Sequence, residues 1–513
     1  MRRLIRSETA RAAVGGLLLA VSAPPFPTAL IACAFASVVL LASSLDRATL
    51  TQATVRGLFF GLFANLVAMS FVPSTIARFT DLPWAVALVG WVLLSLGQGA
   101  VWGVAGFVTG ALRRLSVPLA PAFAVGVASS MFVPALFPWT VAAPFARAPV
   151  FLQLAEAIGE RGVAVWIAIA AGTFITGLAT LRGRVLTAAA VIALPVYGLA
   201  RMPSVERARD AAPRKRIALV QQAIPPKVRW ENGQAPSIVT KLWSLTTLGE
   251  AQGAELSIWP EAAYPFVLPH QGGVDGGAFR IRGGGIRGDV ITGLLTEAPS
   301  PDGSEPDAHW HYNAATLADR SGAVAPAAAK IELLAFGEVV PLGDRFPVLR
   351  RMFSRGGGLI AGSDPVLLSS GGVRAGILNC YEDTLPGVAR RVARAGPNLL
   401  VNVTNDAWFG ASAEPELHLL EAIPRAIETR RDLVRAVNTG VTAHIDALGR
   451  VVARAPREVP TVLLIDAALI EGPETVYARL GDVTLGAPLL AFALVSSWLR
   501  RRNRTRIGDR SDG

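Results

Sequence analysis

Long apolar segments separated by short polar connections dominate the first 200 residues. A helix needs about 20 residues to cross the ~30 Å hydrocarbon core of a bilayer, and most of these segments are that long. The pattern therefore predicts a membrane domain over residues 1–200 with about seven spanning helices. A C-terminal segment, residues 484–513, adds a predicted helix at 485–499 and a basic tail. The seven apolar segments lie approximately at 12–22, 27–44, 56–73, 84–111, 118–138, 163–181 and 185–200.

Residues 201–483 have a different pattern, in which short β-rich runs alternate with amphipathic helical stretches. This alternation predicts a layered α/β sandwich. The predicted helices are 237–251, 384–395 and 415–431. The predicted strands are 214–222, 255–261, 289–295, 313–319, 373–380, 398–404, 433–438, 441–446 and 461–465.

Arginine placement predicts the orientation of the chain in the membrane. Short cytoplasmic loops carry an excess of Lys and Arg, and alternate connections here are arginine-rich while the others are poor in net positive charge. If the N-terminus is cytoplasmic, an odd number of spans places residues 201–484 outside the cytoplasm. The arginines that set this orientation are Arg47, Arg56, Arg113, Arg114, Arg182 and Arg184 in the connections, and Arg500, Arg501, Arg502, Arg504 and Arg506 in the tail.

Composition excludes several classes of function. The chain is 52% hydrophobic and only 17% charged, too apolar for an ordinary soluble enzyme. Its net charge of +11 comes with arginines at the ends of apolar segments, so we expect membrane anchoring and no nucleic-acid partner. The spans contain almost no ionisable residues, unlike those of an ion transporter. The sequence has no HExxH metal motif, no GxSxG serine-hydrolase motif and no phosphate-binding GxxxxGK[ST] motif.

Three reactive side chains end or follow strand-like runs in the second part of the chain. Cys380 ends the run 373–380, where helix amides favour a thiolate. Glu261 follows 256–260, and Lys330 follows a run of alanines. Alone, each residue has a structural explanation: a buried structural thiol, which is favoured for an isolated cysteine, a turn carboxylate for Glu261 and a surface salt bridge for Lys330. Together, a base, an oxyanion-stabilising cation and a nucleophile form a complete set for acyl transfer.

Four motifs around these residues resemble the nitrilase superfamily and, more narrowly, the bacterial apolipoprotein N-acyltransferases. The motifs are Trp259-Pro-Glu261, Lys330 with Phe336-Gly-Glu338, Cys380-Tyr-Glu382 and Asn405-Asp-Ala-Trp-Phe-Gly410. The resemblance covers essentially the whole chain. It implies a polytopic α-helical membrane domain plus an extracytoplasmic α/β domain with the nitrilase-type αββα sandwich.

The resemblance also implies roles for individual residues. Glu261 is expected to be the general base, Cys380 the nucleophile and Lys330 the oxyanion-stabilising residue. Glu338 is expected to orient the lysine or to shuttle protons. Three further residues are expected at the site: Tyr381 and Glu382 as lining residues and Trp230 on the substrate side.

The reaction implied by the resemblance transfers a fatty acyl chain from a phospholipid, through a Cys380 thioester, to the N-terminal amine of a diacylglyceryl-cysteine apolipoprotein. No cofactor or metal is expected, and the enzyme is expected to be a multi-pass monomer of the bacterial inner membrane with a periplasmic catalytic domain. The alternatives are a nitrilase-type amidase on a membrane anchor and a membrane carrier whose outer domain has lost catalysis. The intact triad and the scarcity of charge in the spans oppose the carrier.

Overall fold

The computed structural model describes residues 2–80, 82–225, 228, 233–299, 309–343, 345–352, 358–486 and 489 of the 513-residue chain. The chain divides into two compact units. The first comprises Met1–Ser70, Val89–Leu199 and Leu480–Gly513. The second comprises Ala200–Arg479 together with Phe71–Leu88, a segment that the predicted boundary at residue 200 assigned to the membrane domain.

Each apolar segment predicted between residues 12 and 200 contains a helix. Within the described residues, five helical segments are long and apolar enough to cross a bilayer: Thr28–Leu45, Leu50–Ala68, Trp84–Arg114, Ala155–Gly177 and Leu181–Asp210. The helices up to residue 210 are α1 (Arg2–Val21), α2 (Ala32–Leu45), α3 (Leu50–Ala68), α4 (Val72–Phe79), α5 (Trp84–Arg114), α6 (Leu119–Ser130), α7 (Ala155–Gly177) and α8 (Leu181–Asp210).

The predicted span at 118–138 contains a shorter helix than expected, and the first predicted segment, 12–22, lies in the second half of a longer helix. Helix α6 ends at Ser130 after 12 residues, because Pro134 and Pro138 in the following segment cannot continue a hydrogen-bonded helix. In α1, the first half is arginine-rich, which leaves only its second half apolar. The predicted helix at 485–499 falls almost wholly outside the described residues, as does the arginine-rich tail.

The second unit is built on two β-sheets. Within the described residues one sheet has nine strands, with the order β15-β1-β2-β5-β6-β7-β4 and with β3 and β8 paired to β5 and β6. The other has six strands in the order β14-β13-β12-β11-β10-β9. The elements are β1 (Arg214–Gln221), α9 (Ala235–Ala251), β2 (Leu256–Ile258), β3 (Leu268–Pro269), β4 (Gly273–Val274), β5 (Asp289–Pro299), β6 (His309–Ala318), β7 (Ala323–Val324), β8 (Ala328–Ala329), α10 (Pro347–Met352), β9 (Leu367–Ser370), β10 (Val373–Asn379), α11 (Pro386–Arg394), β11 (Leu399–Thr404), α12 (Glu414–Thr429), β12 (Leu433–Val437), β13 (Ala443–Ile445), β14 (Val451–Arg454), β15 (Thr461–Ala468) and α13 (Val476–Leu480).

The two sheets pack face to face and each is covered by helices. Side chains such as Leu219 and Ile258 from the first sheet share one buried cluster with Ile377 and Val401 from the second. Helix α9 covers the outer face of the first sheet through a second cluster. Helix α11 packs on β10 of the second sheet and on the turn Cys380–Thr384, and helix α12 packs on α11 and on the same turn. The predicted αββα sandwich is therefore confirmed.

The parallel pairing in both sheets brings the predicted reactive residues to common edges. Strand β2 pairs parallel with β1 and β5, and β10 pairs parallel with β11, which pairs parallel with β12. The carboxyl ends of parallel neighbours lie at one edge of a sheet. Glu261 follows β2 and Cys380 follows β10. Both residues therefore lie beyond the carboxyl end of a parallel strand.

Helix α4 packs on the loop that follows β11. The rings of Phe71 and Phe409 meet edge to face with centroids 5.4 Å apart. The Arg78 guanidinium donates a hydrogen bond to the Trp408 carbonyl at 3.3 Å. These contacts explain why this helix groups with the sandwich.

Candidate active site

Cys380 occupies a strained turn at the end of β10. It begins the 3-10 helix Cys380–Thr384 and has φ 55°, in the left-handed region that non-glycine residues rarely adopt. The Asn402 amide fixes this turn by donating to the Cys380 carbonyl at 2.8 Å and to the Leu378 carbonyl at 3.1 Å. Strain held by such contacts is typical of a turn that presents a functional side chain.

Glu261 places its carboxylate against the Cys380 thiol. The residue is 7% exposed and lies in the turn after Trp259 and Pro260. The thiol lies close enough to the carboxylate for each group to affect the pKa of the other. The Asn313 amide also donates to Glu261 Oε1 at 2.7 Å. The carboxylate is therefore oriented to accept the thiol proton.

Lys330 follows β8 and is the third residue of the site, beside Cys380 and Glu261. It is 1% exposed, and its Nζ lies 2.8 Å from Glu338 Oε2 and 3.8 Å from Glu261 Oε1. The same ammonium lies 5.2 Å from the centroid of the Tyr381 ring. A cation fixed between two carboxylates beside the thiol is suited to stabilise an oxyanion formed at the sulfur's target carbon.

The electrostatics of the site favour a neutral thiol in the resting state. Burial raises the pKa of Cys380, and the Glu261 carboxylate raises it further, although Lys330 acts to lower it. Burial also raises the pKa of Glu261. Burial acts to lower the pKa of Lys330, but Cys380, Glu338 and Glu261 together raise it, so the ammonium persists. The sequence-based expectation that helix amides favour a thiolate is therefore wrong. Cys380 itself begins the five-residue 3-10 helix Cys380–Thr384, and burial has the largest effect on the pKa of the thiol.

Glu382 and Tyr381 connect the Cys380–Thr384 turn to the segment after Lys330. Glu382 Oε1 accepts hydrogen bonds from the amides of Ile331 and Glu332 at 2.6 and 2.9 Å, and Oε2 accepts one from the Asn379 amide at 2.8 Å. Burial raises the pKa of Glu382 to about 7 despite these donors. The Tyr381 hydroxyl donates to the Leu333 carbonyl at 3.1 Å. The two segments are thereby held in a fixed relation.

Six of the seven predicted site residues come together around one point: Glu261, Lys330, Glu338, Cys380, Tyr381 and Glu382. The seventh, Trp230, lies outside the described residues. Sequence reasoning missed Asn313 on β6, whose amide also donates to Glu338 Oε1 at 2.6 Å and whose Oδ1 accepts from Asn379 at 3.1 Å. An asparagine inside a β-rich run, where this residue type is depleted, was the available signal.

A second buried polar cluster lies behind the Cys380–Thr384 turn. His418 on α12 contacts Asp383 and Asp406, and Asp383 forms an ion pair with Arg435 on β12. Ligand atoms of Asp406, Glu414 and His418 lie within 4.8 Å of one another, so these three residues could hold a cation. Both ring nitrogens of His418 already contact carboxylates at 2.9 Å. The sequence-based expectation of no metal stays a prediction.

Two family models match the chain in complementary regions. Residues 15–173 match the apolipoprotein N-acyltransferase N-terminal domain, and residues 289–471 match the carbon-nitrogen hydrolase family. The apolipoprotein N-acyltransferase of Geobacter metallireducens is 30% identical over 97% of this chain and 96% of its own length. The chain belongs to the apolipoprotein N-acyltransferase family.

The enzyme of the same name from Caulobacter vibrioides is 29% identical over 96% of this chain and 95% of its own. A solved amidase of the nitrilase superfamily from Nesterenkonia is 21% identical over 54% of this chain and 99% of its own, with a TM-score of 0.37. The chain is thus an apolipoprotein N-acyltransferase-type enzyme, a bacterial membrane protein that acts in lipoprotein N-acylation.

Asn313→Ala is expected to reduce kcat by about 10-fold to 100-fold, because an unsatisfied buried polar partner costs ~1–3 kcal/mol. Both Glu261 and Glu338 lose the amide that orients them. Steady-state N-acylation with a lipopeptide acceptor measures the effect. Asn398→Ala is the matched control, since that buried amide donates to the Gly372 carbonyl at 2.8 Å at the opposite end of the sandwich. Equal rates for the two variants would contradict a role for Asn313.

Proposed function

We propose that the enzyme works by a ping-pong mechanism with a thioester at Cys380. The donor is a membrane phospholipid, and the acceptor is the free α-amino group of a diacylglyceryl-cysteine at the N-terminus of an apolipoprotein. The observation that carries this proposal is the convergence of the partly exposed Cys380 with the buried side chains of Glu261 and Lys330. Membership of the family and the five apolar helices support a lipid donor.

In the first half-reaction, Glu261 accepts the thiol proton as the sulfur attacks the ester carbonyl carbon of the donor. Lys330 stabilises the oxyanion of the tetrahedral intermediate. When the intermediate collapses, the ester C–O bond breaks, and Glu261 returns the proton to the leaving alkoxide. The products are an acyl-thioester on Cys380 and a lysophospholipid.

In the second half-reaction, the acceptor amine attacks the thioester carbonyl carbon. Lys330 again stabilises the oxyanion, and Glu261 accepts a proton from the amine nitrogen. Collapse breaks the C–S bond, forms the amide and returns the proton to sulfur. Competing hydrolysis must be slow, and the burial of Glu261 and Lys330 limits the access of water to the thioester.

The remaining site residues are proposed to support these steps. Glu338 orients Lys330 through its 2.8 Å ion pair. Tyr381 and Glu382 hold the nucleophile turn, and Trp230 contacts the substrate, as the family motif implies. The enzyme is proposed to act as a monomer.

A coupled product assay tests the proposed chemistry. Purified enzyme is incubated with phospholipid vesicles and a diacylglyceryl-cysteine lipopeptide that has a free amine. The proposal expects lysophospholipid and N-acylated lipopeptide in equal amounts. An acetyl-capped lipopeptide is the matched acceptor control and should give no acylated product. Turnover of small amides without either lipid product would favour the anchored amidase instead.

We further propose an inner-membrane location with residues 201–483 in the periplasm, between a membrane domain of residues 1–200 and a cytoplasmic C-terminal segment of residues 484–513. Two single-cysteine variants test this in a background with Cys33 and Cys380 replaced by serine. Val274→Cys lies on the catalytic unit, where the native side chain is 86% exposed. Arg47→Cys replaces a side chain that is 92% exposed in a predicted cytoplasmic loop.

In spheroplasts, a membrane-impermeant maleimide is expected to label the first variant fully and the second only after lysis. The reverse pattern would overturn the proposed orientation.

A further inference from the structure

His418 bridges the nucleophile turn and the loop that follows β11. Its Nε2 lies 2.9 Å from Asp383 Oδ1, and Asp383 is three residues after Cys380 in the same 3-10 helix. Its Nδ1 lies 2.9 Å from Asp406 Oδ1, two residues after the end of β11. Asp383 is fully buried and Asp406 is 1% exposed, so water does not replace these contacts.

The two contacts define the charge of the imidazole. Each ring nitrogen faces a carboxylate oxygen, which only accepts, so both nitrogens must donate and the ring is an imidazolium. Glu414, from the same helix, also places a carboxylate oxygen within 4.8 Å of the facing atoms of Asp406 and His418.

We propose that His418 is a positioning residue: its imidazolium ties the Cys380–Thr384 turn to the loop after β11 and balances the carboxylates behind the nucleophile. This inference rests on the proposed role of Cys380 as the nucleophile. His418 itself does not contact the reacting atoms. It acts through Asp383, which shares the turn with Cys380, and through Asp406, whose charge reaches the thiol.

The effect on the nucleophile has a definite sign. Asp406 raises the pKa of Cys380, after the larger effects of burial and Glu261. Removing the imidazolium leaves Asp383 paired with Arg435 and takes away the cation that contacts Asp406. The negative charge behind the sulfur then increases, and the thiolate is disfavoured in the resting enzyme and in the transition state.

Alkylation of Cys380 by iodoacetamide as a function of pH tests the proposal in a Cys33→Ser background. His418→Gln keeps the size and removes the charge, so the midpoint of the alkylation profile is expected to move to higher pH. Asp406→Asn removes the opposite charge and is expected to move the midpoint to lower pH. The double variant removes one positive and one negative charge, so its alkylation midpoint is expected to lie between those of the single variants.

The opposite shifts separate positioning by charge from simple loss of structure, which would move both single variants in one direction. His444→Gln is the matched control, because His444 is also buried and paired with a carboxylate, Asp432, at 2.8 Å. Its profile is expected to match that of the parent. In N-acylation assays, His418→Gln should lower kcat by about tenfold and leave KM little changed, as expected for an interaction made in the chemical step.

Two results would overturn the inference. One is an unshifted alkylation midpoint in His418→Gln, or shifts of the same sign in His418→Gln and Asp406→Asn. The other is a stoichiometric divalent metal in the parent enzyme that His418→Gln loses, since a metal on Nδ1 excludes the proton. The alkylation assay needs no acyl donor, so its result is independent of the proposed phospholipid chemistry.

Discussion

Cys380→Ala is expected to lower the rate of N-acylation by at least about 10⁴-fold, to the background of the assay. Removing the nucleophile of a covalent mechanism eliminates the route itself, and comparable substitutions in other enzymes cost this much or more. The loss should appear in both half-reactions, as no lysophospholipid and no acylated lipopeptide. Single-turnover assays with labelled phospholipid measure each half separately.

Cys33→Ala is the matched control for this variant, because Cys33 is the chain's other cysteine and lies on α2 in the first unit. It is expected to retain the parental rate. Cys380→Ser should also be severely impaired, since a hydroxyl is far less acidic than a thiol and Glu261 must then remove a more tightly held proton. Residual turnover above about one part in 10³ in Cys380→Ala would contradict a covalent route through this residue.

Lys330→Met is expected to lower kcat by about 10³-fold. Loss of one oxyanion-stabilising donor alone costs about 10²-fold to 10³-fold. The substitution also leaves Glu261 and Glu338 close together without the cation between them, and breaking a buried ion pair costs ~3–5 kcal/mol of stability. The remaining carboxylates then share a proton, so the base is partly neutralised as well.

Lys215→Met is the matched control for the lysine. Lys215 is also a buried lysine, 7% exposed, with its Nζ 2.7 Å from Glu255 Oε2 at the amino end of β1. The Lys215→Met variant should be less stable than the parent enzyme, but its kcat should be little changed. Thermal unfolding in detergent measures the stability of both variants, and steady-state assays measure kcat. A Lys330→Met enzyme with no larger loss of kcat than Lys215→Met would contradict the oxyanion role.

The layered fold could be predicted because its signals are local. Runs of alternating or continuous apolar residues mark β1, β10 and β11, and turn residues mark their ends. The junction that holds Cys380 was predicted from the apolar run and the Tyr-Glu-Asp-Thr that follows it. The protonation state of the Cys380 thiol was not predicted correctly. It depends on burial and on the approach of Glu261, which lies 119 residues earlier in the sequence, and both are properties of the assembled sheets.

Other features depend on contacts between distant segments. Asn313 and Glu261 are separated by 52 residues, and Asp383 and Arg435 by the same number, so no local pattern predicts either pair. The sequence analysis missed the edge strands β9 and β14 and the two-residue strands β3, β4, β7 and β8. Helix α4 lies mostly beyond the predicted apolar segment 56–73, and no local pattern predicts the contacts that Phe71 and Arg78 make with the loop after β11.

The central claim is that a phospholipid acylates Cys380, and intact-mass analysis tests it most directly. Purified enzyme and Cys380→Ala are each incubated with phospholipid in the absence of an acceptor. The account predicts a mass gain of one acyl chain on the parent enzyme, its removal by hydroxylamine, and no gain on the variant. An unmodified parent enzyme, or an equal gain on both proteins, would contradict it.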